Sequence, residues 1–212
     1  MTIEAMTLHQ WLSPAFPVGA YSYSQGLETA VAEGQVTDAA SARDWIAMVL
    51  EQGAGQSDAI LLSAAWQAAP DALAALTELA RALCPSLERL TETDRMGAAF
   101  ARAIRALYGH DLPDMPYPLA FGRAARLQDL PLDLTLTLFL QSVVANLASA
   151  AVRLIPLGQT DGQRILRDLS TRIAPLAEAA APGDTDRIGT SALLADLASM
   201  RHETLPTRLF QS

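Results

Sequence analysis

Three histidines, one cysteine and two serines near the start are the side chains of this sequence with the reach to ligate a metal, attack a carbonyl or move a proton. His9, His110 and His202 lie far apart with no HExxH or HxH spacing, so no metal cage is written locally, and a surface or hydrogen-bonded imidazole is the plainer reading. Cys84 is the only cysteine, which excludes an internal disulfide, a CxxC pair and a thiolate cage for zinc, and fits a reducing cytoplasm. Next to Pro85 it reads as a small packed side chain rather than a nucleophile. Ser22 and Ser24 in AYSYSQG make no GxSxG elbow and follow no strand, so turn and capping roles suffice for them. Gly158 and Gly162 in PLGQTDGQ have the spacing of glycines that bare amides at a helix start, but a phosphate loop also needs a lysine. All 15 basic residues are arginine. That removes the P-loop lysine and the lysine amine of pyridoxal phosphate and Schiff-base chemistry. No catalytic, cofactor-binding or metal-ligating residue is therefore assigned.

The formal net charge is -8, and the pI near 4.8 sets the chain against nucleic-acid backbones and anionic lipid surfaces. Seven carboxylates (Glu4, Glu28, Glu33, Asp38, Asp44, Glu51, Asp58) face the single Arg43 in residues 1–58. Spread over several segments, they read as a solvated face that also suits a basic partner. The opening MTIEAMTLHQWLSP has no cationic start followed by an apolar core and a cleavage site, so export is not indicated. Residues 134–152 run without a charge for 19 positions, near the length of a membrane span. Thr135, Thr137, Gln141, Ser142, Asn146 and Ser149 interrupt them, which favours a helix buried in a bundle over a bilayer span.

Half the residues are apolar, 18% are charged and 6% aromatic, with Ala and Leu carrying most of the apolar share. This composition predicts an all-α chain, one domain of about eight to ten helices around the long apolar one. The expected helices are 3–12, one through Leu27, Ala30 and Val31 opened by a Ser22/Gln25 capping box, and one begun by Thr37 or Ser41 that carries Trp45, Met48 and Val49. Then come 58–67, an amphipathic helix over 95–108 with Met96, Phe100, Ala103 and Leu107 inward, 119–128, and the long helix from Pro131 to Pro156. A Thr160/Gln163 capping box opens the next, in which Pro175 is a point of kinking or splitting. A stripe of Leu193, Leu194, Leu197 and Met200 ends the domain at about residue 200. Residues 201–212 form a proline-broken tail, whose Leu205, Leu209 and Phe210 sit on a segment too short to bury itself as a helix; it is expected either to order on a partner or to fray or dock on the chain itself.

Three blocks, SPAFPVGAYSYSQGLE (13–28), AAVRLIPLGQTDGQ (150–163) and SMRHETLPTRLFQS (199–212), occur in the order that resembles the urease accessory protein UreF family. Pro14, Pro17, Gly19, Ser22, Tyr23, Ser24, Gln25, Gly26 and Glu28 match its opening motif, with Tyr21 where phenylalanine is usual. Pro156, Leu157, Gly158, Gln159 and Gln163 match the central one. His202, Glu203, Arg208, Leu209, Phe210 and Ser212 match an ending similar to HExxYSRLFRS, while Pro206 replaces the tyrosine and Gln211 the last arginine.

The resemblance implies an all-α cytoplasmic homodimer, a nickel-insertion chaperone without catalysis of its own. In that family role it binds the accessory protein UreD (also called UreH) and recruits the GTPase UreG to apo-urease. Tyr23, Gln25, Glu28, His202, Glu203, Arg208, Leu209 and Phe210 are the partner-binding candidates that follow from it. Two other readings stand beside it: a small helical enzyme with Ser22 or Cys84 as nucleophile, and direct nickel binding by histidines or carboxylates across a dimer. The first requires His202 and Glu203 to converge on one of those nucleophiles.

Overall fold

The computed structural model describes residues 2–189 and 191–212, and among them there are ten α-helices, three single turns of 3-10 helix and no strand. In chain order the helices are α1 (Ile3–Trp11), α2 (Leu27–Ala32), α3 (Ala39–Gln52), α4 (Ala54–Gln67) and α5 (Leu73–Ala82). They continue with α6 (Leu87–Tyr108), α7 (Tyr117–Leu127), α8 (Leu132–Leu154), α9 (Gln159–Ala180) and α10 (Leu193–His202).

The long uncharged run forms α8, which buries Leu136, Phe139, Leu140, Val144, Leu147, Ala148 and Ala151 against α9 on one side and α3 and α4 on another. By length and composition alone α8 meets the measure of a membrane-crossing helix, but half of its most apolar stretch is covered by neighbouring helices. Five of the twelve aromatic residues are gathered at one place. Trp11, Phe100, Tyr117, Phe121 and Phe139 pack ring on ring at centroid distances of 5.2 to 5.9 Å, which ties α1, α6, α7 and α8 together. Trp11 is fully buried and satisfies its indole N–H on the Tyr108 hydroxyl at 3.2 Å. The α4–α7 contact is closer still: a methyl group at Gly122 of α7 would collide with the Leu62 carbonyl of α4.

Local chemistry places several helix starts differently from the spacing-based expectation. Ser22 sits in the turn Ala20–Ser22 and caps nothing; α2 begins behind Gly26, and the Ser24 hydroxyl receives the Glu28 N–H instead. Asp38 caps α3 in a reciprocal box with Ser41, so Ser41 is the third helical residue rather than the cap. Thr160 lies inside α9, which starts after Gly158 with no side-chain cap. Pro175 neither ends nor splits α9, where it sits on the exposed face. α6 is longer than expected, opening at Ser86, whose hydroxyl accepts the Arg89 N–H. Its inward stripe runs through Thr93, Gly97, Phe100, Ala101 and Ile104, and Leu107 is 56% exposed because the lead into α7 crosses at Gly97 and sets the buried face.

α10 is inverted with respect to its hydrophobic pattern. Ala195, Ala198, Ser199 and His202 face inward, whereas Leu193, Leu194 and Met200 are 65%, 57% and 46% exposed. The cause lies in α2's lead-in. Gly26 has a left-handed φ of 82°, and a Cβ there would stand 2.9 Å from the Ser199 nitrogen and 3.1 Å from the Ala198 Cβ. At that approach only small side chains fit between the two segments, so Leu193 and Leu194 turn outward while Leu197 stays half-buried.

Candidate interaction site at the closing segment

The three sequence blocks meet in space. Residues 22–24 and 211–212 run beside each other: the Gln211 N–H donates to the Ser22 carbonyl and the Ser24 N–H to the Ser212 main-chain oxygen, both at 2.8 Å. The Ser24 hydroxyl donates to the same oxygen at 2.5 Å. From the central block, Arg153 of α8 donates to the Tyr21 carbonyl at 2.8 Å and lays its guanidinium over the Phe210 ring, 4.3 Å from the centroid.

Beneath this clasp lies a buried carboxylate. Glu28, only 6% exposed, accepts the Leu209 N–H at 2.7 Å on one oxygen, and the Phe210 N–H and His202 Nε2 at 3.0 Å on the other. The first turn of α2 thus supplies the acceptors that a short, non-helical segment cannot find in itself. His202, fully buried, also places Nδ1 2.6 Å from a Glu88 oxygen, so each of its ring nitrogens faces a carboxylate. The other Glu88 oxygen accepts from Arg208 at 2.7 Å. Glu203 accepts the Leu87 N–H at 2.9 Å at the start of α6.

A second buried network continues inward. The Ser212 hydroxyl donates to Glu92 at 2.8 Å; Glu92 also accepts from Gln25 Nε2 at 3.2 Å and from Arg89 at 2.7 Å. Arg89 donates its other arm to Asp58 of α4 at 2.5 Å. Burial pushes the Asp58 carboxyl above its ordinary value, with Arg89 opposing the shift. Burial by itself would lower the Arg89 guanidinium, but Asp58 and Glu92 outweigh that and raise it. The Tyr23 phenol is raised by burial and then by Glu92.

The eight candidates are therefore brought into one neighbourhood but do different things. Tyr23, Glu28, His202 and Phe210 are buried, Gln25 is half-buried, and Glu203, Arg208 and Leu209 are exposed, Leu209 by 73%. Phe210 docks on the chain itself, the self-docked of the two outcomes open for the tail, with its N–H on Glu28 of α2 and its ring under Arg153 of α8. Asp58 and Glu28, read from the sequence as part of a solvated acidic face, are instead enclosed against Arg89 and the closing segment, and sequence reasoning passed over Glu88, Arg89, Glu92 and Arg153. Only Arg153 carried a signal, as a member of the central block.

Within one chain the nucleophile chemistry does not assemble. His202 is held by Glu28 and Glu88, away from the proposed nucleophiles. The Cys84 thiol rests on the Ala80 carbonyl at 3.4 Å, and burial pushes it up to about 11, far from a thiolate at neutral pH. His110 pairs with Gln128 and stacks on Tyr108, and His9 lines an open groove between α1 and α6. Among the described residues no three His, Cys, Asp or Glu side chains are grouped closely enough to hold a metal ion.

Comparison with known proteins bears on the same blocks. The UreF family model matches residues 36–170. A "Urease accessory protein UreF" of Cereibacter sphaeroides is 52% identical over 212 residues, covering all of both chains. Its namesakes in Roseobacter denitrificans and Ruegeria pomeroyi are 47% and 42% identical, over 98% and 99% of this chain and 93% and 97% of their own. Identity at this level, along the whole length and through the opening and closing blocks that the family model leaves out, shows that the chain belongs to the UreF family of urease accessory proteins.

Proposed function

We propose that this chain is a cytoplasmic, homodimeric scaffold that binds UreD/UreH and, in that complex, recruits the GTPase UreG to apo-urease for nickel insertion. The observation that carries the reading is the clasp. Its buried half (Glu28, His202, Phe210, Ser212) fixes the main chain of 209–212, and its outer half offers Glu203, Arg208 and the 73% exposed Leu209 side by side. An exposed leucine held on a fixed backbone with charges at its rim is the composition of a protein-binding surface whose ordering entropy is already met. The UreD/UreH contact is assigned to this face. Arg208 and Glu88 form the rim pair, and the Glu88 oxygen bound to His202 links it to the core.

A scaffold couples GTP hydrolysis to metal transfer only by binding one nucleotide state of its partner more tightly than the other. This lysine-free chain has no P-loop lysine to engage a nucleotide's phosphates, and differential binding of UreG is the activity assigned to it. Deletion of 201–212 is a poor probe of the contact, because it would also strip Glu28 of all three donors and Glu92 of the Ser212 hydroxyl. Leu209→Asp leaves the main-chain bonds in place, and it should weaken capture of UreD/UreH by at least about tenfold with the helical circular dichroism unchanged. Equal capture by the variant and the parent would remove this face from the interface.

A further inference from the structure

A cavity of about 90 Å³ opens beside the clasp between α3, α4, α5, α6 and α10. Leu83, Pro85, Ile188 and Ala54 supply apolar lining, and Asp196 of α10 lines the cavity as well. Its floor holds Asp58, Arg89 and Gln25, with Glu92 directly behind. Two features of that floor ask for the same occupant. Arg89 is shared between Asp58 and Glu92, so two buried carboxylates stand against one guanidinium. Gln25 donates its amide to Glu92, which leaves its buried Oε1 without any donor.

We infer that this cavity receives a lysine side chain from a protein partner, its methylenes against Leu83, Pro85 and Ile188 and its ammonium between Asp58 and the Gln25 carbonyl. An ammonium is a donor without acceptors and supplies both what Gln25 Oε1 lacks and the missing positive charge. Size agrees. The cavity holds several times the roughly 10–15 Å³ that one water-sized probe needs, which admits an unbranched aliphatic stem and its ammonium head. The raised Asp58 carboxyl fits a site whose charge is completed by what enters it. A second copy of this chain has no lysine to offer, so the donor is a different protein, one attracted by a net charge of -8. The inference rests on the reading of the chain as a scaffold for other proteins, but the site can be tested without any of them.

The test is an amide-resolved NMR titration of the full chain with n-butylammonium, with n-butanol at equal ionic strength as the uncharged control. The expected result is saturable shifts of Gln25, Gly53 and Cys84 with the amine, at least about tenfold weaker with the alcohol, and a comparable loss in Asp58→Asn. Ser57→Leu, which fills the cavity and leaves every charge in place, should abolish the shifts, and it decides the matter if Asp58→Asn does not fold. Equal affinity for amine and alcohol, shifts elsewhere on the surface, or undiminished binding by Ser57→Leu would each overturn the site. Acetylating the lysines of the UreD/UreH and UreG partners should then weaken whichever of them supplies the side chain. If capture of both is unaltered while the amine still binds, the cavity takes free amines and the lysine assignment fails, with the scaffold reading left standing.

Discussion

Glu28 is the residue on which most of the clasp converges, since it is buried and holds three donors from the closing segment. Removing it strands two main-chain N–H groups and an imidazole away from water. Glu28→Ala should therefore cost about 3 kcal/mol or more in urea unfolding, well beyond an ordinary surface substitution. A loss under about 0.5 kcal/mol would mean that residues 209–212 are not held there. Asp58 gives the pH counterpart. Its folded carboxyl binds a proton more readily than the ordinary carboxyl at 3.8, so its contribution to stability is complete below that value. It is lost as pH rises through the ordinary value and on through the raised folded one, because the unfolded chain releases its proton first. The difference in unfolding free energy between the parent chain and Asp58→Asn should accordingly fall with rising pH across the mildly acidic range and then level off. A difference that grows with pH there would contradict the burial of this carboxyl.

Elements are held apart or together by the smallest residues. Gly122 lets α7 lie directly on the α4 backbone, and Gly122→Ala would force a methyl group into the Leu62 carbonyl. Because both sides of that contact are main chain in helices, relief requires the helices to separate, and a loss of about 3 kcal/mol in thermal or urea unfolding is expected. An unaffected midpoint would show that the two helices slide freely. The same economy of space explains what the sequence discloses about the elements and what it conceals. The long apolar helix and the all-α class are legible, because residues 134–152 and the Ala/Leu composition leave few alternatives. The helix starts at Ser22 and Thr160 are not, since a capping-box spacing is only a local offer and Gly26 and Gly158 take the turn instead. The α10 stripe misleads for a third reason. Hydrophobic periodicity assumes that the larger apolar face goes inward, and close approach at Gly26 reserves the inner face for Ala195, Ala198 and Ser199.

At the scale of the whole molecule, the opening, central and closing blocks are readable as motifs, yet nothing in their order tells that they touch. Ser24 and Ser212 are 188 positions apart and share a hydrogen bond. The buried charges beneath them were invisible for a related reason: Arg89 and Glu92 sit in a helix rich in exposed charge, and only the crossing of α4 places Asp58 on them. What emerges is a lysine-free, acidic helical body that fixes one short segment and leaves apolar side chains facing outward on α10 and at Leu209. Such a body acts through what it binds. The most direct measurement is size-exclusion chromatography with light scattering of the purified chain mixed with UreD/UreH and UreG, without nucleotide, with GDP, and with a non-hydrolysable GTP analogue. A complex containing all three proteins, whose yield differs between the two nucleotide states, is expected. Absence of any complex under every condition, or GTP hydrolysis by this chain alone, would contradict the assignment of a scaffold.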